Sequence, residues 1–281
     1  MIELTFSVNA VALRRGNFEW ALGATLSRNK AEIKALGGLN ESVITLTDGG
    51  QIITRVGESP YAFYGLQAEG VFSTTAEAET ANLKNYKGLN YAAGDMHFVD
   101  QNKDGVINQD DRVILGDATP DFYGGFYTSF RYKNFTLNVR FTYSYGNDIY
   151  NAVRRQGESM KDYFGQTQAV LSAWRYEGQQ TDVPRAVYGD PMGNSTFSSR
   201  WIEDGSYLKL KNLTLNYEYP NKLWIFQKVQ AYLSADNLIT WTKYLGYDPE
   251  FAYSYDHHML GVDYGKVPGA TTFKLGIRLG F

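Results

Sequence analysis

The chain has 281 residues, 43% of them hydrophobic and 20% charged, which is enough to bury a core and unlike the composition of a disordered segment. Its 27 basic and 30 acidic residues give a net charge of −3, and no block of like charge stands out, which argues against nucleic acid as the main partner. There is no cysteine, so a disulfide framework, a thiolate metal site and a cysteine nucleophile are excluded.

The chain begins inside a segment that has the pattern of a strand. Residues 2–9 alternate Ile, Leu, Phe and Val with Glu, Thr, Ser and Asn. No basic stretch followed by an apolar core precedes them, so no signal peptide is predicted. No apolar run reaches the roughly 18 residues that a transmembrane helix needs. We therefore expect the chain to be a piece of a longer protein.

Strict alternation of apolar and polar residues predicts β-strands in several parts of the chain. The pattern is clearest in residues 135–145 and 273–281, where one face is apolar or aromatic and the other is polar or charged. The predicted strands, about nine in number, are 2–14, 17–31, 50–57, 61–73, 121–132, 135–146, 206–219, 228–241 and 270–281. The predicted fold class is therefore all-β, with antiparallel strands.

The connections between these strands alternate between short and long. The long ones are residues 32–49, 74–120, 147–205 and 242–269. A transmembrane β-barrel has short periplasmic turns and long extracellular loops, so this alternation favours a barrel. The alternative is a soluble β-sandwich or solenoid with long loops. An odd number of strands also indicates a missing partner, because bacterial barrels have even numbers.

An aspartate-rich loop at residues 100–111 has the spacing of a calcium-binding loop. Oxygen donors stand at positions 1, 3, 5, 9 and 12, and Gly105 stands at the sharp turn in position 6. The predicted ligands are Asp100, Asn102, Asp104, the Val106 carbonyl, Asn108 and Asp111. The alternative is an Asx-rich turn whose side chains cap their own backbone. The sequence predicts a structural Ca²⁺ as the cofactor.

Several segments, in order from about residue 90 to the end, resemble the C-terminal barrel of SusC/RagA-type TonB-linked outer-membrane transporters of Bacteroidetes. They are Gly94-Asp95, the loop 100–111, Ile114–Gly116, Pro120–Gly125, Tyr132–Phe135, Arg200–Leu215, Tyr219-Pro220, Ala235–Leu238, Thr240–Tyr244 and Gly246–Glu250. Together they are specific, although each alone is weak.

The resemblance implies a location in the bacterial outer membrane and a role in nutrient import. Residues 1–281 would form about nine strands of a barrel of about 22 strands, without the N-terminal plug. The implied partners are a SusD-like surface lipoprotein, TonB through the missing N-terminal region, outer-membrane lipid, and an oligosaccharide or peptide substrate. The sequence has no nucleophile elbow, phosphate loop or dinucleotide fingerprint, so no enzymatic activity is expected.

Three further sets of residues are candidates for function. Polar residues expected to face the barrel lumen, where they hydrate the wall, contact the plug or touch substrate, are Asn138, Arg140, Lys274 and Arg278. Aromatic residues expected either to stack on a ligand or to pack the loops are Trp174, Trp201, Tyr253 and Tyr255. The terminal Phe281 resembles the aromatic signal for outer-membrane assembly. The alternative function is a soluble extracellular carbohydrate-binding β-module with structural calcium.

Overall fold

The computed structural model describes residues 2–250 and 259–281. The strands are β1 (Ile2–Arg15), β2 (Phe18–Lys30), β3 (Glu41–Thr45), β4 (Gln51–Arg55), β5 (Ala62–Leu66), β6 (Ala68–Val71), β7 (Lys84–Asn85), β8 (Met96–Phe98), β9 (Val106–Ile107), β10 (Arg112–Gly116), β11 (Phe122–Tyr132), β12 (Phe135–Tyr145), β13 (Asp148–Asn151), β14 (Ile202–Asp204), β15 (Tyr207–Glu218), β16 (Lys228–Thr242), β17 (Val262–Asp263) and β18 (Thr272–Gly280). The α-helices are α1 (Thr75–Ala81) and α2 (Ala152–Glu158), and short 3-10 helices cover Gln109–Asp111, Gln168–Ser172 and Ser199–Trp201.

Seven long strands form one antiparallel sheet in the order β1-β2-β11-β12-β15-β16-β18. They are 9 to 15 residues long, whereas strands of globular proteins usually have about 5–6 residues. Within the described residues the sheet does not close on itself, because β1 and β18 are its two edges. No helix in residues 2–250 and 259–281 is long and apolar enough to cross a membrane.

The prediction of about nine strands in one barrel wall is wrong for two segments. Residues 50–57 and 61–73 form β4, β5 and β6, which lie in two small separate sheets, β10-β5-β4-β3 and β6-β8. These strands have four or five residues, too few for the roughly 9–11 that a membrane-crossing strand needs. In β4 and β5 adjacent residues are buried, Ile52 with Ile53 and Ala62 with Phe63, so both faces of these strands are covered, because successive side chains point to opposite faces.

Short and long connections alternate as expected, although there are three long ones. They are the first (residues 31–121), second (146–206) and third (243–271) long connections. Three hydrophobic clusters lie within them, and none of the three contains a residue of the seven long strands. The largest side chains of one cluster are contributed by the first and second connections, and Val262 joins it from the third. We call this packed assembly of connections the loop lobe.

Two glycines in the long strands lie directly opposite tyrosines of neighbouring strands. Gly23 pairs with Tyr127, and Gly276 pairs with Tyr232. A Cβ on Gly276 would come within 2.4 Å of the Tyr232 ring, and one on Gly23 within 2.3 Å of the Tyr127 ring. Any residue larger than glycine would collide with the tyrosine ring. The ring in turn covers the glycine backbone, which has no side chain of its own to pack.

A bulge in β15 explains why the alternation breaks at Lys209 and Lys211. The register with β12 shifts between Arg140 and Phe141, and the register with β16 shifts between Leu210 and Asn212. One extra residue, Lys211, therefore restores Leu213 and Leu215 to the apolar face. A bulge or a position at the extracellular rim would each explain such a break in the alternation, and the register shows the bulge.

Candidate functional site

One face of the seven-stranded sheet is apolar from β1 to β18. In β12 this face carries Phe135, Leu137, Val139, Phe141, Tyr143 and Tyr145. Aromatic rings concentrate at both ends of the strands. The ring centres of Phe135 and Tyr217 lie 4.8 Å apart, and the Phe122 ring stacks on the Tyr145 ring at 4.8 Å. The ten steps from Phe135 to Tyr145 extend about 33 Å along the strand. A strand segment of this length, tilted as strands are in membrane barrels, extends about 25 Å along the membrane normal. This equals the height of the apolar band of such barrels.

Much of the apolar face is exposed, whereas some polar-face residues are buried. Apolar residues of the edge strands are exposed, for example Phe6 at 67% and Leu275 at 82%. On the opposite, polar face, Lys209 and Ser234 are buried, at 2% and 7% exposed. Exposed apolar area on this scale marks a surface that contacts something other than water. The arrangement suits contact with lipid on the apolar face and an aqueous lumen on the other.

All four residues expected to face the lumen lie on the polar face. Asn138 and Arg140 stand opposite Thr214 and Asn212 of β15. Lys274 donates to Asp236 at 2.7 Å, and the Arg278 guanidinium lies 5.1 Å from the centre of the Tyr232 ring. Their role toward plug or substrate stays a prediction. A recess on this face is lined by Arg140, Lys211, Asn212, Asp236, Asn237, Ala270, Thr272 and Lys274.

Asp48 joins the three long connections to one another. Its carboxylate accepts hydrogen bonds from the Tyr150 hydroxyl of the second connection and from the Tyr264 hydroxyl of the third at 3.0 Å. Arg155 of α2 lies 3.6 Å from the same carboxylate. Burial, together with the charge of Asp48, raises the pKa of Tyr264 to about 12. The tyrosine therefore remains a neutral donor at physiological pH, and the loop lobe is held as one unit.

A second set of contacts, a cluster of ion pairs, joins the third connection to the sheet. The Lys209 ammonium lies 2.8 Å from Asp248 and 3.0 Å from Glu250, and its side chain is only 3% exposed. Lys211 also pairs with Glu250, at 2.7 Å, but is 38% exposed. Buried charges of this kind need their partners, because removing one leaves the others uncompensated. The sequence pattern missed this cluster; its only signal was the phase break at the two lysines.

Trp201, expected either to stack on a ligand or to pack the loops, is fully buried in the loop lobe. Its indole Nε1 donates to the Thr196 carbonyl at 3.0 Å, and the Arg200 guanidinium lies 4.4 Å from its ring centre. The stacking prediction is wrong for Trp201, because neither ring face is accessible. Burial lowers the pKa of Arg200 to about 10, against the opposing effect of Glu158 at 3.1 Å, so the cation persists at neutral pH.

The remaining aromatic candidates have different outcomes. Trp174 is partly buried, donates through Nε1 to the Ser73 carbonyl at 3.1 Å, and packs against Gly94. These contacts match the alternative of loop packing, and ligand stacking by Trp174 stays a prediction. Tyr253 and Tyr255 lie outside the described residues. The Phe281 ring lies 5.1 Å from that of Phe226, and its role as an assembly signal stays a prediction.

The aspartate loop 100–111 is closed by its own hydrogen bonds. Asp100 accepts from the backbone of Lys103 at 2.7 Å and of Gly105 at 2.8 Å. The buried Asp111 accepts from the backbone of Gln101 at 2.9 Å and of Asn108 at 2.8 Å. Across the described part of the chain, no group of three or more Asp, Glu, His or Cys side chains is arranged to hold a metal ion. Gly105 has φ +78°, as the predicted sharp turn requires.

No protein-family model matches the chain. Among curated proteins, the TonB-dependent receptor P3 of Formosa agariphila is 34% identical over 98% of this chain. The TonB-dependent receptor SusC of Bacteroides thetaiotaomicron is 27% identical over 99% of it. The chain spans 28% of the length of the first relative and 26% of the second.

Solved structures show the same architecture. The RagAB peptide transporter superposes with a TM-score of 0.77 at 26% identity, over 99% of this chain and 29% of that one. The RagAB peptide importer in its open-open state superposes with a TM-score of 0.74 at 25% identity, over 99% and 28%.

The long-stranded sheet, with one apolar face and one polar face, has the pattern of a β-protein of the outer membrane. The chain is a homologue of the SusC/RagA-type TonB-dependent receptors, which confirms the resemblance seen in its motifs. Such receptors are outer-membrane proteins and transporters rather than enzymes, so the predicted location and the absence of enzymatic activity are confirmed through the family.

Proposed function

We propose that this chain forms part of the barrel wall and the extracellular mouth of a TonB-dependent importer. The observation that carries the proposal is the exposed apolar face of the seven-stranded sheet, which has no second protein layer over it within the described residues. The loop lobe would form the mouth, because the long connections leave the sheet at one end. The chain then performs no bond chemistry and shapes the passage through which substrate enters.

The substrate is proposed to be a peptide or an oligosaccharide, captured together with a SusD-like lipoprotein. Support comes from the relatives: the RagAB structures are of a peptide transporter, and SusC is a TonB-dependent receptor. TonB would act through a region outside this chain. The polar recess beside Arg140 and Lys274 would line the route on the lumen side.

Lipid contact at Val139 separates this proposal from the soluble β-module. Val139 lies on the apolar face near the middle of β12, and its neighbour Asn138 lies on the polar face. We expect a tryptophan introduced by Val139→Trp to be quenched by lipids with brominated acyl chains in reconstituted vesicles. The native protein supplies the background from its own tryptophans. Relative to that background, the tryptophan added by the matched variant Asn138→Trp should not be quenched.

A failure of brominated lipid to quench the tryptophan at position 139, together with a water-soluble monomer, would support the soluble module instead. Equal quenching at both positions would contradict the assignment of the two faces.

We further propose that the loop 100–111 binds Ca²⁺ as a structural clip. The donor types and their spacing support it, and a carboxylate oxygen that accepts one backbone hydrogen bond keeps acceptor capacity for a cation. The candidate ligands remain Asp100, Asn102, Asp104, the Val106 carbonyl, Asn108 and Asp111. The ion would neutralise three carboxylates gathered in one loop.

Titration calorimetry with calcium tests the clip. Asp104→Ala is expected to lower calcium affinity roughly tenfold or more. Asp110→Ala is the matched control, because Asp110 lies in the same loop at a position that supplies no ligand. Calcium binding that is absent from the native protein, or unchanged by Asp104→Ala, would favour the Asx-rich turn.

A further inference from the structure

The three short connections of the long-stranded sheet differ sharply in chemistry. Two of them are two-residue polar turns, Gly16-Asn17 and Lys133-Asn134. The third, between β15 and β16, covers residues 219–227 and carries the consecutive apolar residues Leu223, Trp224, Ile225 and Phe226. Turns that face water favour Gly, Pro, Asn and Asp. The apolar turn therefore differs from the two connections beside it.

The tip of this turn presents its largest side chain outward. Trp224 is 88% exposed, and Leu223 and Ile225 are about half exposed. Reciprocal backbone hydrogen bonds between Leu223 and Phe226, at 3.1 and 2.9 Å, close the tip around Trp224 and Ile225. Trp224 has φ +53°, a left-handed conformation that bulky residues rarely adopt. A tryptophan held in a position suited to glycine points to a role for its ring.

The Phe226 end of the turn lies on the apolar side of the sheet, whereas residues 219–222 line a recess with polar-face residues. The Phe226 ring lies 5.1 Å from the ring of Phe281, and the Gln227 amide donates to the Gly280 carbonyl at 2.8 Å. Phe281 continues the alternation of Leu275, Ile277 and Leu279, which share the apolar face of β18. The apolar tip is thus continuous with the exposed apolar face and extends beyond the aromatic residues at its end, such as Phe135 and Tyr217.

Basic residues flank the apolar run. Lys222 precedes it, and Lys228 follows it and pairs with Glu218 at 3.3 Å. Tryptophan prefers the membrane–water boundary, where its apolar ring and its N–H are both satisfied. Lys222 and Lys228 line a recess together with polar-face residues such as Gln230, so they lie on the lumen side of the turn.

We propose that the turn 219–227 is a membrane anchor, in which Trp224, Leu223 and Ile225 insert into the phospholipid headgroup region at the short-connection end of the sheet. The inference rests on the proposed membrane-spanning role of the sheet. The anchor would hold the depth of β15, β16 and β18 in the bilayer, because the ring at the tip resists movement both toward water and toward the hydrocarbon core.

Tryptophan fluorescence of the intact protein tests the anchor. The protein is reconstituted in vesicles of phosphatidylethanolamine and phosphatidylglycerol, with bromine placed on the acyl chains near the glycerol. The signal of Trp224 is the difference between the native protein and Trp224→Phe, a variant that keeps an apolar ring. Trp241 lies on the apolar face at the opposite end of the sheet and is 48% exposed, so Trp241→Phe supplies the internal control.

We expect brominated lipid to remove about half or more of the Trp224 emission, as it does for an interfacial ring, and to quench Trp241 as well. Quenching of Trp241 alone, with Trp224 reached only by aqueous acrylamide, would overturn the anchor and leave the membrane sheet in place. Protection of Trp224 from both quenchers would also overturn it, in favour of a protein partner on the turn. Lipid quenching of neither residue would overturn the anchor and the proposed function together.

Discussion

Replacement of Lys209 by methionine is expected to loosen the third long connection from the sheet, at a cost of about 3–5 kcal/mol in the free energy of unfolding. Methionine keeps the length of the side chain and removes its charge. Asp248 and Glu250 would then face each other without the ammonium that lies within 3.0 Å of both. Thermal unfolding in detergent and protease sensitivity of the connection between β16 and β18 measure the effect.

Lys211→Met is the matched control for this experiment. Lys211 lies two residues away on the same strand and pairs with Glu250, but its side chain is 38% exposed. A solvated pair contributes only about 0–1 kcal/mol, so this variant should unfold near the native temperature. Similar losses of unfolding free energy in the two variants would show that burial of the lysine does not determine how strongly the third connection is held to the sheet. An unchanged Lys209→Met protein would show that the cluster does not hold the connection.

Trp201→Ala is expected to destabilise the loop lobe by about 3–5 kcal/mol, because it removes a fully buried aromatic side chain and leaves a cavity. It also deprives Arg200 of the ring at 4.4 Å. Trp201→Phe should lose less, since it keeps an aromatic ring in the same core. The temperature of unfolding and the rate of limited proteolysis within the second long connection report the change.

The same variant separates packing from ligand binding. Were Trp201 a stacking residue, Trp201→Ala would weaken substrate binding while the unfolding temperature stayed native. Trp174→Ala is a suitable comparison, because Trp174 is only partly buried and its loss should cost less stability. A smaller effect of Trp201→Ala than of Trp174→Ala would contradict the core position of Trp201.

The long strands could be predicted because their signal is local. Each side chain of β12 points to the face that its place in the alternation dictates, since successive residues of a strand alternate sides. The bulge at Lys211 was predictable for the same reason, as a one-residue break in phase moves every following side chain to the other face. The resemblance to SusC/RagA-type receptors could also be recognised from short motifs, and the similarity to TonB-dependent receptors confirms it.

Other features depend on residues that are distant in the sequence. Residues 50–57 and 61–73 were predicted as membrane strands, but Ile52 and Phe63 pack in one cluster with Tyr150 and Trp201, which lie 87 to 149 residues further along the chain. A pattern of period two does not state which surface will cover a face. The partners of Lys209 lie 39 residues or more from it, and nothing in the local pattern identifies them.

The sequence alone therefore determined the strands, their two faces and the family, because backbone geometry ties these properties to neighbouring residues. Only the tertiary structure decided which strands belong to the sheet and which to the loop lobe, that Trp201 is buried, and where the charge of Lys209 is neutralised. Those properties follow from which distant surfaces exclude water from a side chain, and that is settled when the three long connections pack together.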